Sequence, residues 1–271
     1  HQGGAVTGRM SSSNPNLHST PRDAQFRKLI HAPPGGKLVK GDFSQIELRV
    51  LAEVSGDSAM QGAFARGEDL HRATAAALVG ALVGEVTKEE RQLAKAVNFG
   101  LVYGQSAAGL RRYATSNYGV ELTMEEAQRA RRRFFQTYTG VEAWQRAQRA
   151  KAACGAPIVT PAGRAAHHLR EAQQELRQGA SEQALARLER EALNFPIQGG
   201  AAEVTLACLD RLRAHLAPLR GCCRLVCVMH DEFLLECGDT TAAASAAAAL
   251  RSAMCEAWLQ VFPAAAPLGE A

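Results

Sequence analysis

The chain predicts an α+β fold, and three observations carry that prediction. Leu225 to Met229, the pair His230-Asp231, and Phe233 to Glu236 read as strand, turn and returning strand, an antiparallel hairpin with an acid at its tip. Leu38-Val39-Lys40-Gly41 leads into Asp42 as a second short strand region. Between these regions the apolar spacing, the N-cap signals and the glycine stops are those of helices.

Taken in order, residues 1–35 are rich in Gly, Ser, Pro and Asn and read as loop and turn. Ile46 to Val54 has helical apolar spacing, and residues 70–79 read as a helix ending near Gly80. The clearest helix opens at Thr87, where Thr87 and Glu90 form a capping box, and runs to Tyr103 with Gly104 as its stop. Thr123 and Glu126 open another, through about Tyr138. Two prolines and two glycines break the pattern between Gly155 and Arg164. Residues 171–190 are rich in Gln, Glu and Arg and predict an exposed helix. A separate Ala/Leu-rich helix is expected at 201–216, after Pro196 and Gly199-Gly200. The Ala-rich stretch 241–260 predicts a helix able to cover one sheet face.

Composition sets bounds only. The 271 residues are 46% apolar and 21% charged, an ordinary globular balance. A formal charge of +4 permits a nucleic-acid partner without demanding one. No apolar run approaches the roughly 18 residues of a membrane span, and no secretory signal is visible. The seven cysteines lack a paired framework, which suggests a reducing compartment. Cys222, Cys223 and Cys227 invite a zinc reading, but buried thiols on an apolar strand are the stronger expectation. Trp144 and Trp258 are expected in the core, and His167-His168 lacks a spaced partner for metal binding. The chain starts with His in Gly-rich sequence and reads as a piece of a longer protein.

Two constellations carry chemistry. Asp42 and Asp231, with Glu232 beside the second, sit where strands end. Two aspartates brought together would repel unless they shared divalent cations, and their hard oxygen ligands suit magnesium. Two such ions about 4 Å apart form an in-line phosphoryl-transfer site. The same spacing also fits ordinary turn aspartates. The second constellation lies on the helix from Thr87. Arg91, Lys95, Phe99 and Tyr103 follow at i+4 steps and share one face, two cations and then two aromatics. A triphosphate needs cations and its base needs a stacking surface, yet a solvated helix with inward aromatics would show the same stripe.

At these residues the chain resembles the family A DNA polymerases. Asp42-Phe43-Ser44-Gln45-Ile46-Glu47-Leu48-Arg49 is similar to the first signature of that family, Arg91-x3-Lys95-x3-Phe99-Gly100-x2-Tyr103-Gly104 to the second, and His230-Asp231-Glu232 to the third. Thr7-Gly8-Arg9, His71-Arg72-Ala73-Thr74 and Asn194-x-Pro196-x-Gln198-Gly199 agree, in family order over nearly the whole chain. The resemblance implies an α+β fold with an antiparallel-sheet palm (1–48 and 186–271), a mostly helical fingers subdomain inserted at 49–185 with its nucleotide-binding helix at 88–103, and no thumb.

It also implies roles. Asp42, Asp231 and the Phe43 carbonyl would ligate two Mg2+ ions, with Mn2+ as a substitute, and Glu232 would assist. Arg91 and Lys95 would hold the triphosphate, with Lys95 also a proton donor. His71 and Gln45 would contact phosphate or sugar, and Phe99 and Tyr103 would stack at the nucleotide and template. Glu47 would exclude a ribose 2′-hydroxyl. Gly100 and Gly104 would let the helix move. Arg9, Arg190, Asn194 and Gln198 would follow the DNA minor groove and backbone, His230 would also bind DNA, and Arg27 would face the incoming nucleotide or the template. Partners would be primer-template DNA and dNTPs, with the parent chain's thumb and exonuclease domains missing and no membrane involved. The setting would be the bacterial cytoplasm and its nucleoid. Departures include Val228, where the family often has Gln, and a long stretch at 170–190. A non-catalytic DNA-binding remnant and a metal-dependent phosphohydrolase built around His230-Asp231 are the competing readings.

Overall fold

The computed structural model describes residues 4–19, 24–177, 179 and 181–268. A 3-10 turn (Leu17–Ser19) and a short helix α1 (Ala24–Arg27) precede strand β1 (Lys37–Asp42). Helices α2 (Ile46–Ser55), α3 (Ser58–Ala65), α4 (Leu70–Val79), α5 (Lys88–Val102), α6 (Ala107–Tyr118) and α7 (Met124–Thr137) follow. Then come α8 (Thr139–Cys154), α9 (Leu169–Arg177), α10 (Glu182–His215), strands β2 (Cys223–Met229) and β3 (Glu232–Cys237), and helix α11 (Thr240–Val261). The chain forms two compact units, one of His1–Ile46 with Gln198–Ala271, the other of Glu47–Ile197. It leaves the first within α2 and returns to it within α10.

The first unit is built on an antiparallel sheet of order β1-β3-β2. Alternation along the central strand buries Phe233, Leu235 and Cys237 on one face. Helix α11 packs on that face, started by Asp239, whose carboxylate accepts from the Ala242 N–H at 2.7 Å. Gly41 lies opposite Phe233, and a Cβ there would stand 2.5 Å from Leu250 Cδ2, so the helix approaches closely only over a glycine. Trp258 is core as expected, and its indole N–H donates to the Ala266 carbonyl at 2.9 Å. The expectation of buried thiols on β2 is corrected. Cys222 is exposed, and Cys223 and Cys227 are only half-buried. The apolar run is an outer strand, bulged between Leu225 and Cys227, and Leu225 and Val226 remain 37% and 44% exposed.

The second unit is helical. Leu48, Leu51, Val97, Leu101, Phe134 and Val141 are at its centre, and Trp144 lies at the edge of the same core. Both capping boxes form. The Glu90 N–H donates to Thr87 Oγ1 at 3.1 Å and the Glu126 N–H to Thr123 Oγ1 at 3.2 Å, each carboxylate accepting in return from the cap residue's N–H. Helix α8 has no capping side chain of its own. Asp57 serves it instead, accepting from Gly140 N–H at 2.9 Å through Oδ2 while Oδ1 caps α3 at Met60 N–H, 3.0 Å. A second apolar cluster gathers Ile158, Leu169, Leu188, Ala192 and Phe195.

One boundary is corrected. The expected break at Pro196 and Gly199-Gly200 does not occur, and α10 continues for 34 residues with Pro196 inside it. Proline removes one backbone donor and crowds the preceding turn. The burial of Leu193, Phe195, Ile197 and Ala201 around it outweighs that cost. The exposed helix expected over 171–190 is two pieces, α9 and the start of α10.

Candidate active site

Strand pairing gathers the acids in the first unit. Asp42, the last residue of β1, is the cross-strand partner of Glu232, the first residue of β3. One residue further, the Phe43 N–H donates to the Asp231 carbonyl at 3.3 Å. With strands about 5 Å apart and a rise of about 3.4 Å per residue, the Asp42 and Asp231 backbones lie on the order of 6 Å apart. Two features hold this corner. The buried Phe43 ring packs edge-on against Phe233, centroids 6.1 Å apart. Gln45 and His230, on either side of the acids, both take left-handed backbone, φ +56° and +57°. That conformation costs about 1–2 kcal/mol for a residue other than glycine, and such strain concentrates at working sites.

Charge is managed locally. Asp42 and Glu232 face each other directly on one side of the sheet, a repulsive pairing. Lys40 Nζ lies 2.5 Å from Glu232 Oε2 and offsets it. Around the tip, Arg9, His230, Asp231 and Thr205 line a cleft with Ala201 and Ala202 beneath. The His230 ring packs on His18, centroids 4.8 Å apart, a residue that the sequence did not single out.

In the second unit α5 presents the predicted stripe. Lys95 Nζ stands 5.8 Å over the Tyr118 ring, and Phe99 packs 5.7 Å from His71. Arg91 Nε donates to Asp69 Oδ2 at 2.7 Å. Only one of five guanidinium N–H groups is used in that bond, leaving others for a further anion. Asp69 also caps α4 by accepting from His71 N–H at 2.9 Å. Burial works against its ionisation, but the Arg91 hydrogen bond and charge prevail and hold its carboxyl below the usual range. The Tyr103 hydroxyl donates to the Glu47 carboxylate, joining the end of the stripe to α2. Gln145 Nε2 donates to the Leu101 and Val102 carbonyls at 2.7 and 3.2 Å and closes the helix end. Gly100 and Gly104 each sit close against a neighbouring side chain. A Cβ at Gly100 would lie 2.8 Å from Leu110, and one at Gly104, where φ is +72°, 2.6 Å from Leu193.

A buried hydrogen-bond chain sets the state of His71. Asn98, fully buried on α5, donates from Nδ2 to His71 Nδ1 at 2.9 Å. Its Oδ1 accepts from the Thr74 hydroxyl at 3.0 Å, and the Tyr138 hydroxyl lies 2.9 Å from Thr74. An amide N–H can only donate, so Nδ1 accepts and the proton of the neutral ring resides on Nε2. Burial, reinforced by the charges of Arg91 and Lys95 and opposed by Asp69, pushes His71 down to about 4. The ring is therefore neutral at pH 7. The sequence singles out neither Asp69 nor Asn98, and it offers Thr74 and Tyr138 only as a motif residue and a helix end. The available signal was a polar residue, Asn98, on the apolar side of an amphipathic helix.

Of the expected DNA contacts, Arg9 is in the cleft beside Asp231. Because α10 is unbroken, Arg190, Asn194 and Gln198 fall at i+4 steps along one helix, and the buried Asn194 Oδ1 has no hydrogen-bond partner among the described residues. The Arg27 side chain lies outside the described residues. His168 packs on Phe195 at 5.4 Å and lies 3.9 Å from Glu191, a structural setting.

The sequence model of DNA polymerase family A matches residues 1–267. The chain belongs to DNA polymerase family A. It is 41% identical to DNA polymerase I of Aquifex aeolicus over 234 residues, covering 86% of this chain and 38% of that one. Against DNA polymerase I of Pseudomonas aeruginosa it is 40% identical over 240 residues, covering 87% of this chain and 25% of the relative. The chain thus spans well under half the length of these family A relatives. Its fold is similar to that of the POL domain of Pol1 from M. smegmatis in complex with DNA primer-template and dNTP, with a TM-score of 0.85, 30% identity, and coverage of 99% of this chain and 45% of that one. The α+β class predicted from sequence is the class of this family fold.

Proposed function

We propose that this chain is the polymerising part of a DNA-directed DNA polymerase, adding deoxynucleotides to a primer 3′-hydroxyl on a template. The observation that carries the reading is the strand register that brings Asp42, Asp231 and Glu232 to one end of the sheet. The first unit is the palm and the second is the fingers. Among the described residues no group of three or more His, Cys, Asp or Glu side chains is arranged as a metal site by itself. Two neighbouring carboxylates with a backbone carbonyl beside them are nonetheless hard oxygen donors that fit magnesium. Asp42, Asp231 and the Phe43 carbonyl would hold two Mg2+ ions, which supply acidification of the primer hydroxyl and neutralise charge on the departing pyrophosphate.

The chain's own residues do the rest. The primer 3′-oxygen bonds to the α-phosphorus as the bond from that phosphorus to pyrophosphate breaks. Arg91 and Lys95 hold the triphosphate, and Lys95 gives its proton to the leaving group. His71, neutral, donates from Nε2 to a phosphate oxygen or the sugar, and Gln45 adds a polar contact there. Phe99 stacks on the nucleotide. Tyr103 holds Glu47 where a 2′-hydroxyl would otherwise fit. Arg9, Arg190, Asn194, Gln198 and His230 follow the duplex. No helix among the described residues is long and apolar enough to cross a membrane, and the working setting is the bacterial cytoplasm, on nucleoid DNA.

Primer extension with dNTPs and Mg2+ tests this. The chain should extend a primed template, and Asp231→Asn should reduce extension by about a thousandfold or more, the scale on which a principal charge-stabilising group acts. DNA binding without extension by the unaltered chain would identify a non-catalytic remnant. Template-independent dNTP hydrolysis would identify a phosphohydrolase.

A further inference from the structure

Three cysteines meet at the end of the sheet remote from the hairpin tip. Cys223 and Cys237 are direct cross-strand partners on β2 and β3. The Gly238 N–H donates to the Cys222 carbonyl at 2.8 Å, which makes 223/237 a non-hydrogen-bonded rung. Cα atoms at such a rung are about 4.5 Å apart, within the about 4.4–6.8 Å that a disulfide spans. Both side chains face α11: Cys237 is buried, and the Cys223 thiol donates to the Ala242 carbonyl at 3.4 Å. Cys222 is exposed, and its thiol donates to the Leu219 carbonyl at 3.1 Å. All three line a cleft with Pro33, Pro34 and Gly36. The thiols form a matched pair with an exposed neighbour, and among the described residues they make no convergent metal site.

We propose that Cys223 and Cys237 are a thiol–disulfide exchange site for low-molecular-weight disulfides, with Cys222 as the thiol that the disulfide meets first. The Cys222 thiolate attacks a disulfide RSSR, forms a mixed disulfide and releases RS−. The Cys223 thiolate attacks the outer sulfur, takes over the RS group and restores Cys222. The Cys237 thiolate then attacks the Cys223 sulfur and expels RS−. In sum, two cysteine thiols lose two protons and two electrons, and RSSR becomes two RSH. Burial and the neighbouring thiols push Cys223 up to about 12, so little of it is thiolate at rest. That favours first attack at exposed Cys222 and slow closure of the pair.

The test is incubation of the intact chain with oxidised glutathione, alkylation of free thiols, digestion and mass mapping. The expected product is one peptide pair joined through Cys223 and Cys237, about 2 Da lighter than the sum of its reduced parts and restored by dithiothreitol. Cys222→Ser should form the same bridge about tenfold more slowly. Glutathione adducts that stop at Cys222, a different pairing, or no reaction would overturn the site, and an unslowed Cys222→Ser would overturn the first-contact role. Mapping the unaltered chain decides the pairing without relying on a variant of buried Cys237. Cys223→Ala, at a half-buried position, should abolish the bridge, and a bridge that persists in it refutes the assignment.

Discussion

His71 ties the stability of the chain to pH with a predictable sign and size. Its imidazole is 3% exposed, accepts from Asn98, and titrates near 4 instead of 6.5. Because the folded state resists protonation, the unfolded chain binds the extra proton between pH 6.5 and about 4. Stability from this residue is therefore complete above pH 6.5, falls with pH through that window, and is fully lost below about 4. A gap of about 2.5 at about 1.4 kcal/mol for each pH unit makes the full loss about 3–4 kcal/mol. Urea unfolding of the unaltered chain and of His71→Gln, at steps from pH 7 to 4, isolates it. Asp69, whose charge couples to His71, is held below the usual carboxylate range and so titrates beneath most of this window, and the stability difference between the two proteins should change by about 3 kcal/mol across it. Nitrogen-15 NMR should place the ring proton on Nε2. A His71 that titrates at 6.5, or a stability difference that does not vary with pH, would refute the reasoning.

Other consequences are equally concrete. Glu47→Ala should raise ribonucleotide incorporation, and Tyr103→Phe should do so to a lesser degree, because it frees the carboxylate that the Tyr103 hydroxyl holds; unchanged sugar selection in both would remove the gate role. Phe99→Tyr should improve use of dideoxynucleotides, because the added hydroxyl supplies a polar partner beside the sugar; equal chain termination by the two proteins would contradict it. Gly41→Ala should lower unfolding stability by about 1–3 kcal/mol, because its Cβ would enter the space of Leu250, and an unchanged urea midpoint would count against that packing.

Local signals were legible and remote ones were not. Capping boxes at Thr87 and Thr123 and the left-handed stop at Gly80 fall where the sequence put them, because each is settled within four residues of chain. Helix α8 went unseen because its cap is Asp57, more than eighty residues earlier. Pro196 misled for a related reason. Its local cost is visible in sequence, whereas the packing that overrides it comes from residues such as Leu188 and Ala192 that gather with α9.

The site divides along the same line. Asp42 and Asp231 could be nominated by their places at strand ends, but only the pairing of β1 with β3 makes them neighbours, and that pairing is sensitive to register. A slip of one residue would move Gly41 from beneath Leu250 and turn the apolar face of β3 outward, so burial of Phe233 and Leu235 fixes the register that joins the acids. The nucleotide-side residues obey a different logic. The i+4 stripe on α5 is written in one helix, while the tautomer of His71 depends on Asn98, Thr74 and Tyr138, drawn from three helices and their ends. Side chains that face a substrate can be read by type and spacing. Those that set their protonation are polar residues on apolar faces, and each is costly to bury unless its partners arrive through the fold.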